Sequence, residues 1–81
     1  MQITVRFFAR ARECAGREKL VLDLPEGSTV GTLRTILAAQ FPALAPLLAR
    51  SALAVDESFT NNEQKLRNGA DVAVLPPVSG G

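Results

Sequence analysis

Apolar and polar residues alternate from the second position onward. Ile3, Val5 and Phe7 fall on one side of an extended chain, and Gln2, Thr4, Arg6 and Phe8 on the other. Residues 2–8 are therefore predicted as a half-buried strand. The period then changes. Ala11, Cys14 and Ala15 recur at helical spacing between Arg10 and Gly16, and Gly16 is a natural stop. Alternation returns over residues 18–24, with Leu20, Leu22 and Leu24 on the core side. Pro25-Glu26-Gly27-Ser28 reads as a turn. Thr29 is an N-cap for a helix from about Val30 to Phe41, whose stripe is Val30, Leu33, Leu37 and Phe41, widened by Ile36 and Ala38. Thr32 stands where a capping box would place Glu or Gln, so that box is incomplete. Pro42 ends the helix, and residues 43–49 read as a second short helical piece.

Strand character resumes after Arg50. Leu53-Ala54-Val55 is one short strand, Asp56-Glu57 a turn, and Ser58-Phe59-Thr60 an edge strand. Residues 61–67 are polar, with Leu66 the one anchor, and Asn68-Gly69 is a turn signal. Residues 71–75 form the last strand, with Val72 and Val74 inward and Ala73 and Leu75 outward. The order β-β-α-β-(β)-β predicts an α+β domain: a mixed sheet of about five strands with a helix packed on one face. The first and last strands can then lie side by side at its centre. This is the β-grasp arrangement, the architecture of ubiquitin. The domain is predicted over residues 1–75, followed by a flexible tail over 76–81.

One face of such a sheet stays open. By parity Phe8 and Leu75 stand on it, and Phe59 can join them, so the patch is a candidate partner surface. Ordinary edge packing, or Phe8 tucked under residues 10–16, is the plain alternative. Arg6, Arg10 and Arg12 lie nearby, as a solvated rim or as steering charges for an acidic partner.

Composition narrows the chemistry. A hydrophobic content of 47% in 81 residues supports one folded domain and argues against disorder. Nine basic and eight acidic residues leave a net charge of +1, which gives no electrostatic case for nucleic acid or an anionic membrane as partner. Apolar runs are too short to span a bilayer. Met1 leads straight into a strand without a signal-peptide core, so a cytoplasmic location is expected. The chain has no His and a single Cys, Cys14, which removes an internal disulfide, the usual zinc sites and His-based catalysis. Cys14 falls on the apolar stripe and is read as a packing residue. No metal site is expected.

That absence directs attention to the last residues, Pro76-Pro77-Val78-Ser79-Gly80-Gly81. A terminal Gly-Gly is a strip without side chains, able to enter a cleft that a Cβ would block. Pro76 and Pro77 fix φ and end the strand, so the tail is expected to leave the domain stiff and extended. The pattern reads as a chain that delivers its own terminus to another protein's active site. A frayed tail or a cloning remnant is the plain alternative.

Two segments resemble a known family. Val5-Arg6-Phe7-Phe8-Ala9-Arg10-Ala11-Arg12-Glu13 and Gly69-Ala70-Asp71-Val72-Ala73-Val74-Leu75-Pro76-Pro77-Val78-Ser79-Gly80-Gly81 are similar to the small, sulfur-carrying subunits of molybdopterin synthase. The likeness extends over the whole chain in length and element order. Thiamine-pathway carriers share the fold and the Gly-Gly, but are usually shorter and lack this opening and the Pro-Pro.

The resemblance implies that an E1-like adenylyltransferase adenylates the Gly81 carboxylate with ATP. Sulfur then displaces AMP and leaves a thiocarboxylate. It further implies that Pro76, Pro77, Val78, Ser79 and Gly80 insert into the large subunit. There Gly81 gives sulfur to cyclic pyranopterin monophosphate, building the molybdopterin dithiolene. The implied assembly is a heterotetramer of two small and two large subunits. No cofactor is bound, and ATP is consumed by the activating partner. Phe8, Arg12, Phe59 and Leu75 match family positions at the partner interface. Leu75 departs from a frequent aromatic, and Cys14 from a frequent leucine. Three rivals stay open: the same carrier chemistry for thiamine, cysteine or tRNA thiolation; a ubiquitin-like protein modifier; and a plain β-grasp binding module with an inert tail.

Overall fold

The alternation at the start of the chain becomes an interior strand. In the computed structural model, which describes residues 1–77, strand β1 spans Gln2–Phe7, and Ile3, Val5 and Phe7 are buried. It is followed by helix α1 (Ala9–Ala15), strand β2 (Lys19–Asp23), helix α2 (Val30–Gln40), a 3-10 turn (Pro42–Leu44) and helix α3 (Ala45–Leu48). Strands β3 (Ala52–Val55), β4 (Ser58–Phe59) and β5 (Asp71–Leu75) complete the sheet. Its order is β2-β1-β5-β3-β4. β1 and β5 run parallel, with Val5 opposite Val72 and Phe7 opposite Val74, and the other pairings are antiparallel. The first and last strands therefore do meet in the interior of the sheet, and the architecture is a β-grasp.

The three helices cover one face. Ile3, Val5, Phe7, Leu53, Val72 and Val74 meet Val30, Leu33, Leu37, Leu44 and Leu48 in a single core. Phe7 packs edge-on against Phe41, with ring centroids 5.9 Å apart. Leu66 is buried as the anchor of its polar segment. Ala11 is fully buried, while Cys14 and Ala15 are half-buried against the core, which is the packing role read for Cys14.

Local chemistry sets the ends of the elements. The Thr29 hydroxyl accepts from the Thr32 backbone N–H at 3.2 Å and lies 3.1 Å from the Thr32 hydroxyl. The Thr32 hydroxyl thus meets the Thr29 side chain and not its backbone N–H, so the reciprocal half of the box is absent. Gly16 caps α1 in the left-handed conformation, φ 74°, and Gly69 turns into β5 at φ 85°. Asp56 and Glu57 both have positive φ and form the two-residue turn between β3 and β4. Arg34 ties the helices to the loop after β4. It donates to Asn62 Oδ1 at 2.8 Å and to the backbone carbonyls of Leu48 and Ser51 at 2.6 and 2.9 Å.

Several boundaries differ from expectation by a residue, and the end of β1 is the one with a visible cause. Strand β1 stops at Phe7, not Phe8, and α1 begins at Ala9. The cause is Ala9, whose φ of 51° turns the backbone out of the strand.

Candidate functional site

The uncovered sheet face is built by strand parity. Gln2, Thr4 and Arg6 of β1 point away from the helices, as do Asp71, Ala73 and Leu75 of β5 and Ala52 and Ala54 of β3. Cross-strand register puts Lys19, Arg6, Ala73, Ala54 and Phe59 in one row from β2 to β4. Phe59 is 76% exposed and Phe8 45% exposed. Leu75 is half-buried and stands opposite Ala52, one step beyond the Phe7–Val74 pair. All three expected apolar residues therefore belong to this face.

Phe8 and Leu75 follow the paired Phe7 and Val74 on adjacent strands, but Phe59 stands apart from them. Phe8 on the β1 side and Phe59 on β4 are three strand spacings apart, about 14 Å. Between them lies a groove of about 440 Å³ lined by Arg6, Phe8, Ala54, Asp56, Glu57, Asp71 and Ala73. Its floor is low because Ala54 and Ala73, directly opposed, carry only methyl groups. On the other side of Phe8 lies a smaller cleft lined by Arg6, Phe7, Phe8, Arg12, Glu18 and Lys19. Phe8 is thus the crest between two depressions.

Arg6 is less free than a rim arginine. Its Nε donates to both carboxylate oxygens of Asp71 at 3.0 Å, across the β1–β5 pair. Asp56 accepts from the Asp71 backbone N–H at 3.1 Å and from Arg67 at 2.8 Å. Arg12 lies 3.7 Å from Glu18, both exposed. Parity also places a residue not singled out beforehand. Val21 is 53% exposed on β2, opposite Thr4. Its neighbours Leu20 and Leu22 point inward, so the same alternation assigned it outward.

β5 leads the chain off this face through Pro76, half-buried, and Pro77, exposed. Val78, Ser79, Gly80 and Gly81 lie outside the described residues. Among the described residues no group of His, Cys, Asp and Glu could hold a metal ion, and no helix is long and apolar enough to cross a membrane.

The ThiS family model matches residues 5–81. The chain belongs to the ThiS family. A relative from Arabidopsis thaliana named molybdopterin synthase sulfur carrier subunit is 36% identical over the whole of this chain and 84% of its own length. SAMP1 from Haloferax volcanii superposes with a TM-score of 0.89 over the full length of both chains, and at 24% identity this shows the fold. A further solved structure is the complex of subunits 1 and 2 of molybdopterin-converting factor from Helicobacter pylori. This ThiS-family chain matches it at 28% identity and TM-score 0.73, covering all of both chains.

Proposed function

We propose that this chain is the sulfur-carrier subunit of a molybdopterin synthase. The supporting observation in the structure is the placement of β5. It is paired on both edges, runs parallel to β1, and releases the chain at Pro76 beside the open face. From Leu75 to Gly81 the chain spans at most about 20 Å, so a partner seated on that face lies within reach of the terminal carboxylate. The 36% identity to a relative so named supports the same reading.

The chemistry belongs to Gly81. A carboxylate is a poor electrophile. An E1-like adenylyltransferase joins it to AMP, with pyrophosphate leaving ATP. A sulfur nucleophile then attacks the acyl carbon, AMP departs, and a C-terminal thiocarboxylate remains. That group is an anionic sulfur nucleophile at neutral pH, as thiolates are. Gly80 and Gly81 enter the large subunit's active site, and sulfur passes to cyclic pyranopterin monophosphate. The domain supplies docking through Phe8, Arg12, Phe59 and Leu75, and the acid–base groups come from the partner. The assembly is two small and two large subunits in the cytoplasm. Deletion of Gly81 separates the roles. The shortened chain still binds the large subunit through the domain and transfers no sulfur. Sulfur transfer by the shortened chain would overturn the assignment.

A further inference from the structure

The two edges of the sheet are unlike. β4 spans only Ser58–Phe59, too short to template a further strand, whereas β2 runs from Lys19 to Asp23. The ladder to β1 fixes which way each residue of β2 faces. Phe7 N–H donates to the Glu18 carbonyl at 2.8 Å, and Met1 and Leu24 exchange both of their backbone bonds at 2.8 Å. The pairs Val5–Leu20 and Ile3–Leu22 fall between these in the same register. Leu20 and Leu22 therefore direct their N–H and C=O groups to β1. Those of Lys19, Val21 and Asp23 point outward, and no described residue meets them with a hydrogen bond. The side chains of these three residues are exposed on the open-face side, Val21 by 53%.

This edge complements itself about Val21. A two-fold axis perpendicular to the sheet sets a second β2 antiparallel to the first, with Val21 opposite Val21 of the second copy. Lys19 then stands opposite Asp23 of the second copy, and Asp23 opposite its Lys19. The residues with outward backbone groups face one another throughout, so each of these pairs exchanges both ladder bonds. The charges agree with the same register. Lys19 has no ion-pair partner among the described residues, and Asp23 meets only the Met1 ammonium at 3.5 Å with its side chain 88% exposed. Edge charges commonly repel a further strand. Here they are opposite in sign and symmetric about Val21, so in antiparallel register they attract, while parallel pairing would align like charges. We infer that the β2 edge is a self-pairing surface whose occupant is the β2 edge of a second copy, joined antiparallel about Val21 so that two five-stranded sheets become one. The contact is about 17 Å long and one strand wide, well below a standard interface, so the dimer is weak and reversible. Its axis keeps the helices of both copies on one side and both open faces on the other. The two β5 strands lie five strand spacings apart, about 24 Å, and finish at opposite ends of the joined sheet. The groove between Phe8 and Phe59 stays uncovered, so this pairing is independent of the carrier reading.

Sedimentation velocity on the full chain from about 10 µM to about 1 mM tests it. Wild type shifts from monomer toward dimer as concentration rises, and the amides of Lys19, Val21 and Asp23 gain protection from hydrogen exchange in step. Val21→Pro removes the central N–H, which points away from β1, so the β1–β2 ladder keeps its bonds. It weakens association at least about tenfold, because the bond is lost twice per dimer. Lys19→Asp or Asp23→Lys alone also weakens association about tenfold, since like charges then oppose each other twice. The double variant K19D/D23K restores association, and so does an equal mixture of the two single variants. Far-ultraviolet circular dichroism shows whether each variant is folded. A wild-type chain that stays monomeric throughout overturns the inference. So does a folded Val21→Pro chain that dimerises as wild type does, a double variant that is not rescued, or protection gained at other residues instead.

Discussion

Replacing Phe7 and Phe8 with alanine, one at a time, should give opposite outcomes from adjacent positions. Phe7 is 2% exposed and packs edge-on against Phe41. Truncating a buried phenylalanine costs about 3–5 kcal/mol, from lost burial and the cavity left behind. Small domains have net stabilities toward the low end of about 5–15 kcal/mol, so Phe7→Ala should leave a large unfolded fraction. Phe8 is 45% exposed at the crest between groove and cleft. A phenylalanine carries about 200 Å² of burial, so about 90 Å² remains for a partner to cover. At about 25 cal/mol per Å² that is roughly 2 kcal/mol, or about thirtyfold in Kd. Urea denaturation and calorimetric titration with the large subunit measure the two quantities. Phe8→Ala should bind about thirtyfold more weakly while losing no more than about 1 kcal/mol of stability. Full affinity in Phe8→Ala would refute the docking role of the crest. A Phe7→Ala variant as stable as wild type would refute the account of the core.

Two further substitutions probe the framework. Arg34→Ala removes three donations that join α2, α3 and the loop at Asn62, and should cost about 2 kcal/mol in urea denaturation. Arg34→Lys should recover little, because one ammonium does not reproduce the planar fork. Thr29→Ala removes the side-chain acceptor of the α2 N-cap and should cost about 1 kcal/mol, with Thr29→Ser close to wild type.

Much of this was legible because it depends on near neighbours in sequence. The parity of Ile3, Val5 and Phe7, and of Val72 and Val74, identified the core face before any pairing was known. Gly16, Pro42 and Asn68-Gly69 marked ends that the backbone then used. Leu66 stood out as the only apolar residue of a polar segment, and it is buried. The end of β1 was not legible, because nothing in an alanine announces the left-handed turn at Ala9. Contacts between distant residues were also hidden. Arg6 pairs with Asp71 across 65 positions, and Arg34 reaches Asn62 across 28. The candidate site was read in part. Parity placed Phe8, Phe59 and Leu75 on the open face. The separation of Phe59 from the other two follows from the strand order β1-β5-β3-β4 and two opposed alanines, which only the assembled sheet brings together.

The central claim is that Gly81 carries sulfur. Mass spectrometry of the C-terminal peptide tests it most directly, after incubation with ATP, the cognate E1-like enzyme and a sulfur donor. Fragmentation must localise the change, because exchange of oxygen for sulfur is nearly isobaric with oxidation of Met1 or Cys14. The account predicts sulfur on the Gly81 carboxyl, dependent on ATP. An unmodified Gly81 in the presence of a demonstrably active E1-like enzyme would contradict it.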